Sequence, residues 1–325
     1  MAGDIFEQVH VFLNMSNDYD LLIVGAGPAG IAAGLYGSRM GLRTALLGEI
    51  SGGMASEAWL VENYPGIESI RGGDLADKML EHARSMGLEV FVPERVTRLE
   101  KTDCGFRATT ESGTFRSEAV IISTGCCHRT LDVDGEAEFK GKGVSYCAVC
   151  DGVFFKGRRV MVVGGGNTAA MEALYLKETA GKVFLVHRRD DMRADAKLKR
   201  EVVEGGIDTL WKRRVKAIRG EGMVKSVVLE DVDDGSESEL EVDGVFIAVG
   251  ESPQSQLGKE IGVETDETGF IRVNRKQETS VPGAYAAGDV TGGVHQIGVA
   301  TGEGITAAVN AYLHITGGWY GEKKE

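Results

Sequence analysis

The sequence predicts an α/β protein built from two units of parallel sheet, and three observations predict it. A strand-sized apolar run, a glycine-rich turn and a helical stretch follow one another at 20–40, and the same grammar recurs at 159–177. The chain also carries 46 glycines but only 5 prolines in 325 residues, a balance that suits nucleotide-binding α/β architecture better than a fibrous or disordered chain. That length is long for one domain, so two are expected.

The first unit opens on Asp20-Leu21-Leu22-Ile23-Val24, a short apolar run of the kind that forms a strand buried on both faces. It enters Gly25-Ala26-Gly27-Pro28-Ala29-Gly30 and then a helix over Ile31–Met40. Gly25 permits the tight turn, Gly27 lets backbone approach a pyrophosphate, and Gly30 lets the helix pack on the strand, with the phosphates at the helix N-terminus. A second strand, Thr44–Leu47, ends beside Glu49, about 20 residues past the glycines, where an acid binds ribose hydroxyls.

The second unit repeats this as strand Arg159–Val163, loop Gly164-Gly165-Gly166-Asn167-Thr168-Ala169 and helix Ala170–Lys177. Its next strand, Val183–Val186, runs into His187-Arg188-Arg189-Asp190-Asp191-Met192-Arg193 instead of an acid. Arginines here favour a nucleotide with a 2′-phosphate, which a guanidinium fork pairs in bidentate fashion. NADP is therefore favoured over NAD; the competing reading is a solvated charge run in which Asp190 and Asp191 accept from a ribose.

Between the two loops lies Ser145-Tyr146-Cys147-Ala148-Val149-Cys150-Asp151-Gly152, two thiols a short turn apart with a carboxyl behind them. Structural zinc would need a second such pair, and Cys104, Cys126 and Cys127 do not repeat the spacing. Five of the six histidines, His82, His128, His187, His295 and His314, are scattered, so no metal is expected. A purely structural staple would suit an oxidising compartment, but the N-terminal stretch lacks a basic start, an apolar core and a cleavage site. A cytoplasmic chain with thiols kept reduced unless chemistry oxidises them is expected. Asp151 is read as the proton donor to the pair, against a plain turn-forming Asp-Gly.

With 36 basic and 49 acidic residues the net charge is −13, which repels phosphate backbones and argues against nucleic acid. The longest apolar runs, Ala119–Ile122 and Val245–Val249, are strand-sized and far short of a bilayer span. Ile5, Val9, Phe12 and Leu13 recur at helical spacing and predict a short amphipathic N-terminal helix.

Two nucleotide sites and a dithiol suggest FAD at the first, NADPH at the second, and two electrons relayed from hydride to disulfide. The chain resembles the low-molecular-weight thioredoxin reductases of bacterial and archaeal type from Asp18 to about Ile315. It does so through GAGPAG at 25–30, NYPG at 63–66, STG at 123–125, CAVCDG at 147–152, GGGNTA at 164–169, HRRDDMR at 187–193, VGESPQ at 249–254 and AAGDV at 286–290. The resemblance implies two Rossmann-like, three-layer ββα domains: a discontinuous FAD domain over 1–125 and 252–325, with an NAD(P)H domain carrying the cysteines inserted at 126–251. It implies alternation of dithiol and nicotinamide site by domain rotation, a homodimer, and thioredoxin or a thioredoxin-like protein as the disulfide reduced.

By the same resemblance Cys150 is the sulfur nearer the flavin and Cys147 the one that exchanges with thioredoxin. The FAD residues become Gly25, Gly27, Pro28, Ala29, Gly30, Glu49, Gly53, Met54, Asn63, Thr124, Gly125, Gly288, Asp289, His295, Gln296 and Ile297, with Asn63 close to the ring and Gln296 and Ile297 over it at a helix start. Those for NADPH become Gly164, Gly166, Asn167, Thr168, Ala169, His187, Arg188, Arg189 and Arg193. The chain departs from the pattern at Gly52-Gly53-Met54, where Gly-Gly-Gln is common, and at His295-Gln296-Ile297, where Arg-Gln-Ala is common. Cys126-Cys127 after STG reads either as an auxiliary thiol or as two small apolar residues at a domain junction. Two other functions remain open at this level: an NAD(P)H-dependent flavin reductase or electron carrier without dithiol chemistry, and a nucleotide-binding redox sensor.

Overall fold

The computed structural model describes residues 17–58 and 60–318. The expected N-terminal amphipathic helix lies outside the described residues. The strands that build its three larger sheets are β1 (Asp18–Val24), β2 (Thr44–Leu47), β3 (Glu89–Phe91), β4 (Arg98–Thr102), β5 (Gly105–Thr109), β6 (Thr114–Ile122), β7 (Val144–Ser145), β8 (Arg159–Gly164), β9 (Lys182–His187), β10 (Asp208–Trp211), β11 (Arg213–Glu221), β12 (Met223–Asp231), β13 (Glu237–Glu241), β14 (Gly244–Ala248) and β15 (Ala284–Ala286). The helices are α1 (Pro28–Arg39), α2 (Gly72–Ser85), α3 (Ala148–Asp151), α4 (Asn167–Lys177), α5 (Ala196–Glu204), α6 (Gln256–Glu260) and α7 (Ile297–Thr316).

The chain divides into two compact units, one of Met1–Leu60, Tyr64–Cys126 and Pro253–Glu325, the other of Val61–Asn63 and Cys127–Ser252. In the first, the sheet order is β3-β2-β1-β6-β5-β4, with β15 also paired to β6. β1, β2, β3, β6 and β15 run parallel, while β4 and β5 complete an antiparallel meander with β6. The unbroken apolar run of β1 has a direct cause. Leu21 and Ile23 pack under the helices α1, α2 and α7, whereas Leu22 and Val24 pack into a second cluster on the other face. All four are buried, each contributing roughly 1.5–3 kcal/mol of apolar transfer.

The second unit also covers a parallel sheet with helices, and it adds a separate antiparallel sheet. A parallel sheet of order β10-β9-β8-β14-β7 lies at its centre. Val160, Val162 and Phe246 face α4, and Met161, Val163, Val245 and Ile247 face the antiparallel sheet β11-β12-β13. Helices, parallel sheet and antiparallel sheet make the three-layer α/β architecture that the sequence predicts.

Both dinucleotide helices start earlier than the sequence reading places them. The first begins at Pro28 and the second at Asn167, each three residues upstream of the expected start. Proline at the first helical position gives up no hydrogen bond and has its φ preset, so the last residues of each glycine pattern already belong to a helical turn.

Candidate functional site: two dinucleotide loops and a dithiol

In the first unit the glycine loop sits at the C-terminal ends of β1, β2 and β6, where ligands of open α/β sheets bind. Gly25 has φ of +116°, and a Cβ there would overlap the Ser123 backbone carbonyl. The Ser123 hydroxyl bridges the carbonyls of Val24 and Gly25 at 3.1 and 3.0 Å, a tie between β1 and β6 that sequence reasoning missed. A Cβ on Gly30 would run into the Gly25 carbonyl oxygen, so glycine is what allows α1 to approach its strand. A Cβ on Gly27, in contrast, would meet nothing within 4 Å. That residue is the N-cap of α1 with no side-chain cap, so the backbone N–H groups of the first turn face an open concavity. The cradle has the form a pyrophosphate needs.

Of the other expected residues, Gly53 and Gly288 lie directly against this loop. Gly53 lies against Gly27, and the Gly52 N–H donates to the Ala26 carbonyl at 2.8 Å, so Met54 follows in the same turn. Gly288 abuts Ala29, and Asp289 opens the 3-10 turn after it. Thr124 donates to the Gln254 carbonyl at 2.6 Å, and Gly125 adopts φ of +69°. Gln296 is the N-cap of α7 with Ile297 its first residue, and the His295 ring lies 5.9 Å from that of Phe270. Glu49 is exposed and pairs with Arg95 at 3.7 Å. Asn63 belongs to the second unit with Val61 and Glu62.

Glu303 is a residue the sequence reading overlooked. From α7 its carboxylate accepts from the Gly288 N–H at 2.7 Å and from the Thr291 hydroxyl at 3.4 Å, holding the turn that presents Asp289. Burial raises its pKa. Cys126 is buried with its thiol donating to the Asp289 carbonyl at 3.0 Å, while Cys127 is exposed.

In the second unit a Cβ on Gly164 would strike the Ala248 carbonyl, whereas Gly166, the N-cap of α4, has open space before it. Asn167 exchanges two hydrogen bonds with Asp195, at 2.9 and 2.8 Å. Thr168 and Ala169 complete the first turn of α4. His187 is buried under Gly165, its pKa lowered by burial first and then by Arg189, Arg188 and Arg193. All three arginines are exposed at the C-terminal end of β9. Asp191 forms an ion pair with Lys199, which keeps its charge partly occupied away from them. The loop therefore presents open backbone N–H groups with three guanidinium groups beside them, a fit to a phosphorylated nucleotide.

The same unit carries the cysteine pair. Cys147 and Cys150 form a disulfide with Cα atoms 5.3 Å apart across the single turn α3. The Cys150 N–H points at the Cys147 sulfur at 3.1 Å, and the Asp151 N–H donates to the Cys147 carbonyl at 3.1 Å. Ser145, at the end of β7, accepts from the Cys147 N–H at 3.1 Å and donates its hydroxyl to Asp151 Oδ2 at 2.6 Å. Desolvation raises the Asp151 pKa and the Ser145 hydroxyl opposes that shift. A carboxyl that holds its proton above the ordinary range is suited to giving it to a departing thiolate. Glu172, on α4, accepts from the Ala148 N–H at 3.3 Å, a contact across 24 residues that motif reading did not find. Its signal was faint: Glu172 is four residues before the buried Leu176 and so falls on the inward stripe of its helix.

No helix among the described residues is long and apolar enough to cross a membrane. The pyridine nucleotide-disulphide oxidoreductase family model matches residues 19–304. The thioredoxin reductase of Listeria innocua is 44% identical over 302 residues, which are 91% of this chain and 94% of that one. The thioredoxin reductase of Bacillus subtilis is 43% identical over 301 residues, covering 91% and 95%. Among solved structures, the thioredoxin reductase of Streptococcus pyogenes superposes with a TM-score of 0.88 at 38% identity, covering 93% of this chain and 99% of that one.

Proposed function

Since the chain belongs to the pyridine nucleotide-disulphide oxidoreductase family, and within it to the low-molecular-weight thioredoxin reductases, we propose that it is an NADPH-dependent FAD enzyme that reduces the disulfide of thioredoxin or a thioredoxin-like protein. The observation that carries the reading is the Cys147–Cys150 disulfide with the Ser145-held Asp151 behind it, in the unit that also bears the arginine-flanked nucleotide loop.

Family membership implies a flavin and a nicotinamide nucleotide. FAD would be held in the first unit by Gly25, Gly27, Pro28, Ala29 and Gly30, with Glu49, Gly53, Met54, Thr124, Gly125, Gly288, Asp289, His295, Gln296 and Ile297 completing the set. NADPH would be held by Gly164, Gly166, Asn167, Thr168 and Ala169, with His187, Arg188, Arg189 and Arg193 at the 2′-phosphate. When bound, the two cofactors supply the two electrons that reduce the Cys147–Cys150 disulfide.

The chain's own residues do the rest. The thiolate of Cys147 attacks one sulfur of the substrate disulfide, which breaks that S–S bond and leaves a mixed disulfide and one substrate thiolate. Cys150 then attacks Cys147, closing the Cys147–Cys150 disulfide and releasing the second substrate thiolate. Asp151 lends a proton to the departing sulfur, with Ser145 aiming its carboxyl. The dithiol and the second loop belong to one unit, so serving a flavin on the other unit by turns requires rotation of one unit against the other. A homodimer in the reducing cytoplasm completes the proposal.

An anaerobic titration of the flavin spectrum tests it. NADPH should bleach the flavin, NADH should do so far more slowly, and oxidised thioredoxin should restore the oxidised spectrum. A flavin that NADPH bleaches but no protein disulfide re-oxidises would point instead to an electron carrier without dithiol chemistry.

A further inference from the structure

One half-buried acid in the second unit is unused by this chemistry, and it lies beside the cysteines. Glu172 sits on α4, the helix whose first turn is the second nucleotide loop. Its Oε1 accepts the N–H of Ala148, the residue that follows Cys147. Its Oε2 is shut away from solvent and has no hydrogen-bond partner among the described residues. A buried carboxylate with half its acceptor capacity unfilled is costly, whereas the protonated acid is not.

We propose that Glu172 is a positioning residue for the dithiol: it ties the Cys147–Cys150 turn to the helix of the nucleotide loop, and the state of its proton governs how readily the pair carries a thiolate. The inference rests on the reading of Cys147 and Cys150 as the redox pair. Reduction breaks the Cys147–Cys150 bond with two electrons and leaves one thiolate and one thiol when a single proton is taken up, or two thiols when two are taken up. A negative Glu172 beside the turn disfavours the thiolate; a neutral Glu172 does not.

The surroundings support this. Burial raises the Glu172 pKa to about 7, so both of its forms are populated in the physiological range. The Ala148 N–H and His128 favour its charge and Glu251 opposes it. His128 and Glu251 also pair with each other at 3.4 Å, which mutes both. On the cysteine turn itself, Asp151 is the remaining carboxyl, and its hydrogen bond goes to Ser145. Glu172 is therefore the titrating group that joins the two working parts of this unit.

The test uses the full-length protein reduced with dithiothreitol, which supplies both electrons and both protons as it closes to its own cyclic disulfide. The rate of iodoacetamide alkylation at Cys147 and Cys150 is followed by peptide mass spectrometry as a function of pH. At about pH 8 we expect Glu172→Gln to react roughly fivefold faster than the parent, because a nearby negative charge is gone. At about pH 6, where the parent also holds its proton, the two rates should agree within about twofold. Glu172→Asp, which restores the charge, should return the rate at the higher pH toward the parent's. In the parent itself, thiolate formation should rise more gradually than a one-proton curve.

Equal rates at both pH values, the same ratio at both, or a one-proton curve in the parent would each overturn the proposal, and the last needs no variant. Because dithiothreitol replaces the cofactors, these outcomes do not depend on whether the protein accepts NADPH or thioredoxin. Failure there would show separately, as absence of turnover in the parent.

Discussion

The hydroxyl of Ser145 donates to Oδ2 of Asp151 at 2.6 Å while accepting the N–H of Cys147 at 3.1 Å. One side chain thus fixes the carboxyl behind the second cysteine to the backbone of the first. If Asp151 is the proton donor, Ser145→Ala should slow the dithiol-to-thioredoxin step by about tenfold, and Asp151→Asn by about a hundredfold or more. Flavin reduction by NADPH should be unchanged in both. Rapid-mixing measurements of the two half-reactions separate these effects.

The direction of the Asp151 shift sets a pH dependence. Burial holds its proton to higher pH than an ordinary carboxyl, so the acid form prevails below the raised pKa and is lost as pH rises through it. The thioredoxin half-reaction should therefore decline on that alkaline side. In Asp151→Asn the decline should vanish, leaving a low, flat rate.

Two glycines of one loop should respond differently to the same change. At Gly30 an added Cβ would strike the Gly25 carbonyl, so Gly30→Ala should cost about 1–3 kcal/mol of stability. At Gly27 the Cβ has open space and the backbone φ of −78° suits alanine, so Gly27→Ala should melt like the parent yet retain less flavin. Thermal melting with and without added FAD, together with the flavin-to-protein absorbance ratio, distinguishes the two.

Arg188, Arg189 and Arg193 stand exposed at the end of β9. If they bind a 2′-phosphate, replacing Arg188 and Arg189 with Ala should raise the KM for NADPH roughly 10–100-fold through lost bidentate pairing and leave the KM for NADH nearly unchanged. Steady-state kinetics with both nucleotides checks this.

Glu172 makes a stability prediction of definite sign. Its folded pKa is raised from 4.5 to about 7, so the folded protein binds the proton more tightly than the unfolded chain. Its own contribution to stability is then greatest below about pH 4.5 and falls as pH rises to about 7, by on the order of 3 kcal/mol at most. Glu172→Gln should flatten that fall, which denaturant melts at a series of pH values would measure.

Much of this was legible in the chain. Both strand, glycine loop and helix units, the dithiol and the arginine run follow from local spacing, because nucleotide loops and thiol turns are built from consecutive residues. The helix starts at Pro28 and Asn167 lie three residues before those the glycine patterns suggest, because the last residues of each pattern already form a helical turn. Ser145, Glu172 and Glu303 were not legible. Their partners lie 6, 24 and 15 residues away and are joined by tertiary packing, and only the fold brings an acid from α4 to the Ala148 N–H or one from α7 to the Gly288 N–H. Nor does the adjacency of Cys126 and Cys127 in the sequence tell that the fold buries the first and exposes the second.

The most direct test is NADPH oxidation driven by oxidised thioredoxin, comparing the parent with Cys150→Ser. We expect sustained turnover in the parent. In the variant we expect none, together with a stable mixed disulfide between Cys147 and thioredoxin that can be isolated on a non-reducing gel. Full turnover by Cys150→Ser would contradict a mechanism through the Cys147–Cys150 dithiol.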